Sequence, residues 1–501
     1  MSIAAGNLVV TTRQGQVRGQ VTDGVAAFKG IPYAAPPFGL NRFQPPRAAQ
    51  SWDGVRDALA YGRVPPQPPY APPFDQLLGD QGRPGEDCLN LNVWAPDPNN
   101  AGLPVMVWIH GGAFVRGSGA IPTYDGSRFA RDGVVCVTIN YRLGVDGFLY
   151  LGDGTANRGL LDQIAALRWV QENIRAFGGD PARVTIFGES AGAFSVATLL
   201  SMPRAKGLFQ RAIAQSGAAQ HTSSLATAQM VGRNLADKLG VAATMPSIAA
   251  VSLDRLVEAQ AELGQELAVR PDPGRWGEVA ANGMIFEPVV DGEVVPARPI
   301  ERIVAGASAD VDLMIGTTTE EWRFFLVPTG AIDRVTEERL STTARVMGLD
   351  IEQAFAVYRA SRAQATPGDL LGALITAWFF RIPAIRLAEA RAKNGGSSYM
   401  YEFAWRSPLF DARFGAVHAL EIGFVFDNLG RAGAMTLAGS QPPQALADVM
   451  HRAWVAFATS GTPGWSPYDV RERSVMRFDG AGGTVVVDPA ADERRLWDGI
   501  R

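Results

Sequence analysis

The stretch VTIFGESAGAFSVATLLSM, residues 184–202, decides how this chain is read. VTIF is apolar and β-branched, as in a buried strand, and AFSVATLLSM at 193–202 reads as a helix. Between them lies Gly188-Glu189-Ser190-Ala191-Gly192, where small residues allow a strained turn that lifts a hydroxyl into a cleft. A tight structural turn is the plainer reading of those five residues. Strand, turn and helix in that order make Ser190 a candidate nucleophile.

Working outward, residues 159–178 carry Leu160, Ile164, Leu167, Ile174 and Phe177 near a 3.6-residue period and end at Gly178-Gly179, which predicts a helix with a defined stop. Upstream, LVVTTRQGQVRGQV, CLNLNVWAP, PVMVWIHGG and VVCVTINYR read as strands between Pro/Gly-rich connections. LPVMVWI is apolar almost throughout, as expected of a central strand covered on both faces. Downstream, RAIAQSG and DLMIGTTTEE continue the alternation. The chain is therefore expected to be α/β with a mostly parallel sheet, forming one domain over 1–501. Residues 223–265 and 331–393 are rich in helix formers and read as helical insertions over the sheet. The Pro-rich segment 64–73 reads as an extended surface loop.

With 47% hydrophobic and 19% charged residues, the 501-residue chain has ample material for a core. A net charge of -4, with no basic block, offers no footprint for nucleic acid or an anionic membrane. No apolar stretch is read as reaching the roughly 18 residues of a membrane span, and the N-terminus lacks a signal-peptide pattern. Cys88 and Cys136 fall in strand-like segments, so a disulfide framework is not expected. These features predict a cytoplasmic protein acting on a small molecule, without a membrane or nucleic-acid partner, as a monomer or weak homo-oligomer.

A serine hydroxyl needs a base to take its proton, and the chain holds four histidines. His110 opens a turn after a core strand, His221 lies in a polar loop, and His451 falls inside a predicted helix, where packing is the better explanation. His418 comes late, before the strand-like run IGFVF, and the order serine, acid, histidine is that of enzymes built on such a strand–turn–helix. The acid is expected at a strand end. DLMIGTTTEEW supplies Glu321 as first choice and Glu320 as runner-up, with Asp291 weaker because Asp-Gly reads first as a turn. Acyl transfer also needs backbone N–H donors. Gly111, Gly112 and Ala113 after PVMVWIH, and Ala191 after the nucleophile, are the candidates, with a bland Gly-Gly turn as the alternative. Trp322, Phe324, Phe325, Phe114 and Phe424 suggest an aromatic-lined cleft.

These residues resemble the type-B carboxylesterase and cholinesterase family, most closely its bacterial p-nitrobenzyl esterase-like members. The resemblance runs through GIPYAAPPFGLNRFQPP (30–46), EDCLNLNVWAP (86–96), WIHGGAF (108–114), NYRLGVDGF (140–148), FGGDPARVTIFGESAG (177–192), FEPVVDGEVVP (286–296), IGTTTEEW (315–322) and GAVHALEIGFVF (415–426). It implies an α/β-hydrolase fold, no metal or organic cofactor, and a Ser190-Glu321-His418 triad that hydrolyses esters through an acyl-enzyme. It further implies an oxyanion hole from Gly112, Ala113 and Ala191, with Gly111 shaping the turn. Glu189 matches a position of structural or electrostatic character, without a proton-transfer role. Trp322 and Asn90 depart from the family pattern, and Cys88 matches a cysteine that is disulfide-bonded in secreted relatives. A carbamate or amide hydrolase or an acyltransferase on the same site is the alternative, and a non-catalytic binding protein of this fold the remoter one.

Overall fold

The computed structural model describes residues 6–98 and 101–500, and one 13-stranded sheet runs through them. Its middle strands lie in the order Val135–Ile139, Leu103–Ile109, Gly179–Glu189, Arg211–Gln215, Asp312–Thr318, Ser398–Phe403 and Ser474–Asp479, each parallel to its neighbours. Antiparallel strands flank them: Asn90–Ala95, Val25–Pro32, Gln16–Thr22 and Gly6–Thr11 on one side, Gly482–Val487 on the other. Along Leu103–Ile109, Val105, Val107 and Ile109 enter one hydrophobic core while Met106 and Trp108 enter another. That alternation is the two-residue period of a strand, and it explains why a strand covered on both faces has no polar side.

The chain lays down Leu103–Ile109, places Val135–Ile139 on one side of it, then crosses over to place Gly179–Glu189 on the other. Such a reversal of winding opens a crevice at the carboxyl ends of the two inner strands. Ile109 and Glu189 are those ends, so residues 110–113 and Ser190 emerge side by side.

Two elements support that crevice. The helix Arg158–Asn173 carries Asp162, which accepts from Arg142 Nε (2.8 Å), Nη2 (2.7 Å) and the Arg142 backbone N–H (3.0 Å). Both side chains are fully buried, so this fork locks NYRLGVDGF onto the helix. The helix spanning 367–393 continues through Pro383 by widening to π geometry at Ala377–Arg381. Proline has no N–H for the Phe379 carbonyl four residues before it, and His221 Nε2 stands 3.2 Å from that oxygen instead.

Three expectations need correction. The helix Pro367–Lys393 is long and apolar enough to cross a membrane, contrary to the reading that no stretch is; 72% of its apolar window is buried inside the protein. The run after His418 is a short helix, Ile422–Val425, not a strand. Ile422, Phe424 and Val425 are buried on every side, and a short run buried all round has no periodicity to separate the two states. Segment 64–73 is not a plain surface loop: Val64 is buried, and Gln67 both donates to Gly117 O (3.0 Å) and accepts from Gly117 N–H (2.7 Å).

Candidate active site

Ser190 has φ 57° and ψ −124°, outside the ordinary regions for a side-chain-bearing residue, and the helix Ala191–Ser201 starts immediately after it. Such a conformation costs on the order of 1–3 kcal/mol and persists only where its surroundings impose it. Here the Ser190 N–H donates to Gln215 O (3.0 Å) and the Phe194 N–H to Ser190 O (2.9 Å). The flanking glycines are steric necessities. A Cβ on Gly188 would lie 2.5 Å from Ile109 O, and one on Gly192 only 1.9 Å from the same oxygen. The turn is pressed against the end of the neighbouring strand, which is why Gly-x-Ser-x-Gly folds this way here.

Glu321 follows the strand Asp312–Thr318 and is wholly buried. Its Oε1 accepts from the Thr318 N–H (2.8 Å) and its Oε2 lies 2.7 Å from His418 Nδ1. An ionised carboxylate only accepts, so Nδ1 carries the proton and Nε2 is the basic nitrogen. Nε2 stands 3.1 Å from Glu189 Oε1, close enough for an ion pair but without the alignment of a hydrogen bond. Among the hydrogen bonds of the described residues, none joins Nε2 to Ser190 Oγ. Burial pushes Glu189 up, to about 7, with His418 opposing and Glu321 adding to the shift. Burial pulls His418 down, but Glu189, Glu321 and Glu421 together outweigh it and raise the imidazole.

Glu421 escaped the sequence reading. Burial and nearby Glu321 push it up to about 8, and its Oε1 accepts from Gln215 Nε2 (3.1 Å) and Tyr401 O–H (2.9 Å). Its signal was the spacing His418-x-x-Glu421, which a turn with Ala419 at φ 65° closes just before the helix Ile422–Val425.

The loop after Ile109 is propped by His110, whose ring stacks on Tyr141 at 4.5 Å and whose Nδ1 lies 2.8 Å from Gly111 O. Burial lowers His110 to about 4, so it is a neutral support rather than a base. Ala113 and Phe114 have φ of 53° and 60°, and Gly112 O accepts from the N–H groups of Val115 (3.0 Å) and Arg116 (2.9 Å). Gly111, Gly112, Ala113, Glu189, Ser190 and His418 all face one cavity of about 270 Å³. Ala191 is fully buried behind it, its N–H at the first helical position, where no intrahelical acceptor exists.

The other candidates are accounted for elsewhere. Glu320 pairs with Arg406 (2.6 Å) and Arg323 (3.3 Å), and Asp291 accepts from the N–H groups of Glu293 and Val295 in a turn. His221 packs on Phe194 and Phe379, and His451 lies 2.7 Å from Val425 O and 3.1 Å from Asp132. Of the five aromatics expected at the cleft, Phe324 and Phe325 line the cavity. Phe114 packs on Phe148, Phe424 on Phe403 and Trp405, and Trp322 stands behind Phe325 at 4.6 Å. Tyr70, Phe74 and Tyr124 complete the aromatic wall instead. Asn90 is buried, donating to Arg63 O (2.8 Å) and accepting from Asn140 (3.2 Å). A slightly larger cavity of about 320 Å³, edged by Arg168, Arg204 and Glu293, holds neither a histidine nor a serine.

Comparison with known proteins places this geometry. The sequence pattern of the Carboxylesterase family matches residues 6–485. Para-nitrobenzyl esterase of Bacillus subtilis (strain 168) is 37% identical over 508 residues, covering 97% of this chain and 98% of that protein. Phenmedipham hydrolase of Pseudarthrobacter oxydans is 35% identical over 503 residues, covering 96% and 97%. The structure of the Geobacillus stearothermophilus carboxylesterase EST55 at pH 6.2 superposes with a TM-score of 0.85 at 39% identity, covering 98% of this chain and 99% of that one. On these grounds the chain has the α/β-hydrolase fold, belongs to the carboxylesterase family and is a carboxylic-ester hydrolase.

Proposed function

We propose that Ser190, His418 and Glu321 are the catalytic triad of this esterase, with the N–H groups of Gly112, Ala113 and Ala191 as its oxyanion hole and Gly111 shaping that turn. His418 Nε2 takes the Ser190 proton as Oγ bonds to the ester carbonyl carbon, and the carbonyl electron pair moves onto oxygen, where the backbone N–H groups meet it. The oxyanion collapses, the alcohol leaves with the proton from His418, and water repeats the cycle to release the acid. Glu321 stabilises the imidazolium without itself being protonated. The carrying observation is the 2.7 Å contact between buried Glu321 and His418 Nδ1, on the wall of the same cavity as the strained Ser190 turn. The aromatic wall supports an apolar portion of the ester, and the two buried, unpaired cysteines support work in a reducing compartment. Ser190→Ala should lower turnover of a p-nitrophenyl ester by roughly 10⁴- to 10⁶-fold with an unchanged circular dichroism spectrum. Hydrolysis near the wild-type rate by that variant would overturn the assignment.

A further inference from the structure

Arg116 is the one arginine or lysine among the described residues lining the cavity that holds Ser190 and His418. Its Nε donates to Pro68 O (3.1 Å) and its guanidinium carbon lies 5.3 Å from the Tyr70 ring centre. Among the described residues no Asp or Glu forms an ion pair with it; burial lowers its pKa and Tyr70 alone opposes. Two arginines more deeply withdrawn from water, Arg142 and Arg158, meet more acceptors. Arg142 meets Asp162 through a fork, and Arg158 donates to the carbonyls of Asp146, Val145 and Leu149. Arg116 uses one of its five N–H donors, which leaves the amino edge of the fork for a partner that comes with the substrate.

The backbone that carries the cation is held on both sides. Its own N–H closes the turn on Gly112 O (2.9 Å), so Arg116 belongs to the same backbone turn as the proposed oxyanion donors. Gln67 clamps the next residue, Gly117, through both its N–H (2.7 Å) and its carbonyl (3.0 Å). The single carboxylate on the same wall, Glu189, is engaged by His418. A planar guanidinium in a cavity walled largely by aromatic and aliphatic side chains matches a carboxylate in shape and charge, and pre-placement lowers the cost of using it.

We propose that Arg116 is a specificity-determining residue that receives a free carboxylate on the substrate, so that the enzyme favours esters bearing a second, ionised acid group. This rests on the catalytic reading of the same cavity. The acid could belong to the acyl half, as in a half-ester of a dicarboxylic acid, or to the alcohol half, and matched substrates separate the two. The acyl pair is p-nitrophenyl hydrogen glutarate and its methyl ester, followed by p-nitrophenol release. The alcohol pair is 4-(butyryloxy)benzoate and its methyl ester.

The quantity read is the ratio of kcat/KM for the carboxylate member to that of its neutral twin. Arg116→Leu should lower that ratio by about ten- to a hundredfold in one pair, chiefly through KM, and Arg116→Lys should restore part of it. Arg116→Gln, a gentler change, should act in the same direction, and added salt should lower the wild-type ratio. The pair that responds identifies the half carrying the acid. A ratio that stays within twofold in both pairs, with both members slowed equally, would make Arg116 a clamp on Pro68 and Tyr70 and overturn the proposal. A failure of the catalytic reading looks different: wild-type hydrolysis of the neutral twins would survive Ser190→Ala.

Discussion

Glu189 Oε1 and His418 Nε2 stand 3.1 Å apart, so a carboxylate faces the nitrogen proposed to take the proton from Ser190. Ionised, Glu189 favours the imidazolium, which cannot act as a base; protonated, it leaves Nε2 to the serine. Glu189, which the sequence reading assigns no proton-transfer role, is therefore one of the groups that bias the charge of the proposed base.

Glu189→Gln removes one of the carboxylates that raise His418. The acid limb of kcat/KM follows the protonation of the free enzyme's base, so it should move to lower pH, by about one to two units. A pH–rate profile on a neutral ester tests this; a limb left in place would show that Glu189 does not govern the base.

Glu321 and Glu320 are adjacent in sequence but point to different partners. Glu321→Gln replaces the acceptor that holds His418 Nδ1–H and should lower kcat by roughly 10²- to 10⁴-fold. Glu320→Gln loosens contacts to Arg406 and Arg323 and should change kcat less than about threefold. Reversed magnitudes would transfer the acid role to Glu320.

Glu287 lies outside the cavity that holds Ser190 and His418. Burial pushes it up to about 8 from 4.5, and its Oε2 accepts from Asn282 Nδ2 (3.0 Å). Between those two values the folded protein holds a proton that the unfolded chain has released, so stability contributed by the neutral carboxyl is lost as pH rises through the window. Glu287→Gln should remove that slope, making the variant more stable than wild type at pH 9 by on the order of 3 kcal/mol and similar to it at pH 4. Urea titrations at both pH values give the comparison, and parallel curves would refute it.

Asp162 and Arg142 form a buried fork, and removing one partner strands the other's charge. Asp162→Ala should destabilise the fold by about 3–5 kcal/mol, read as a lower urea midpoint at unchanged slope. A loss under about 1 kcal/mol would mean that the Arg142 contact to Gln44 O is sufficient by itself.

What could be read from the chain alone was whatever short-range chemistry dictates. Gly188 and Gly192 around Ser190, the unbroken apolar run of Leu103–Ile109 and the Gly-Gly turn after it all declare their local conformation, because sterics and strand periodicity act over a few residues. Glu321 and His418 were named from order and strand-end position, yet their contact spans 97 residues and exists because the sheet aligns their strand ends and loops. Burial was out of reach in the same way. Tyr70 and Phe74 sit in and beside a proline-rich stretch with no core pattern, and only the docking of Gln67 on Gly117 turns that stretch into a cavity wall. Trp322 looked like a pocket residue and packs behind Phe325 instead. Arg116 read as one charge among 46 basic residues, and Glu189 as the variable position of a motif. Their roles come from low-dielectric surroundings and the partners they meet or lack, which are properties of the assembled fold.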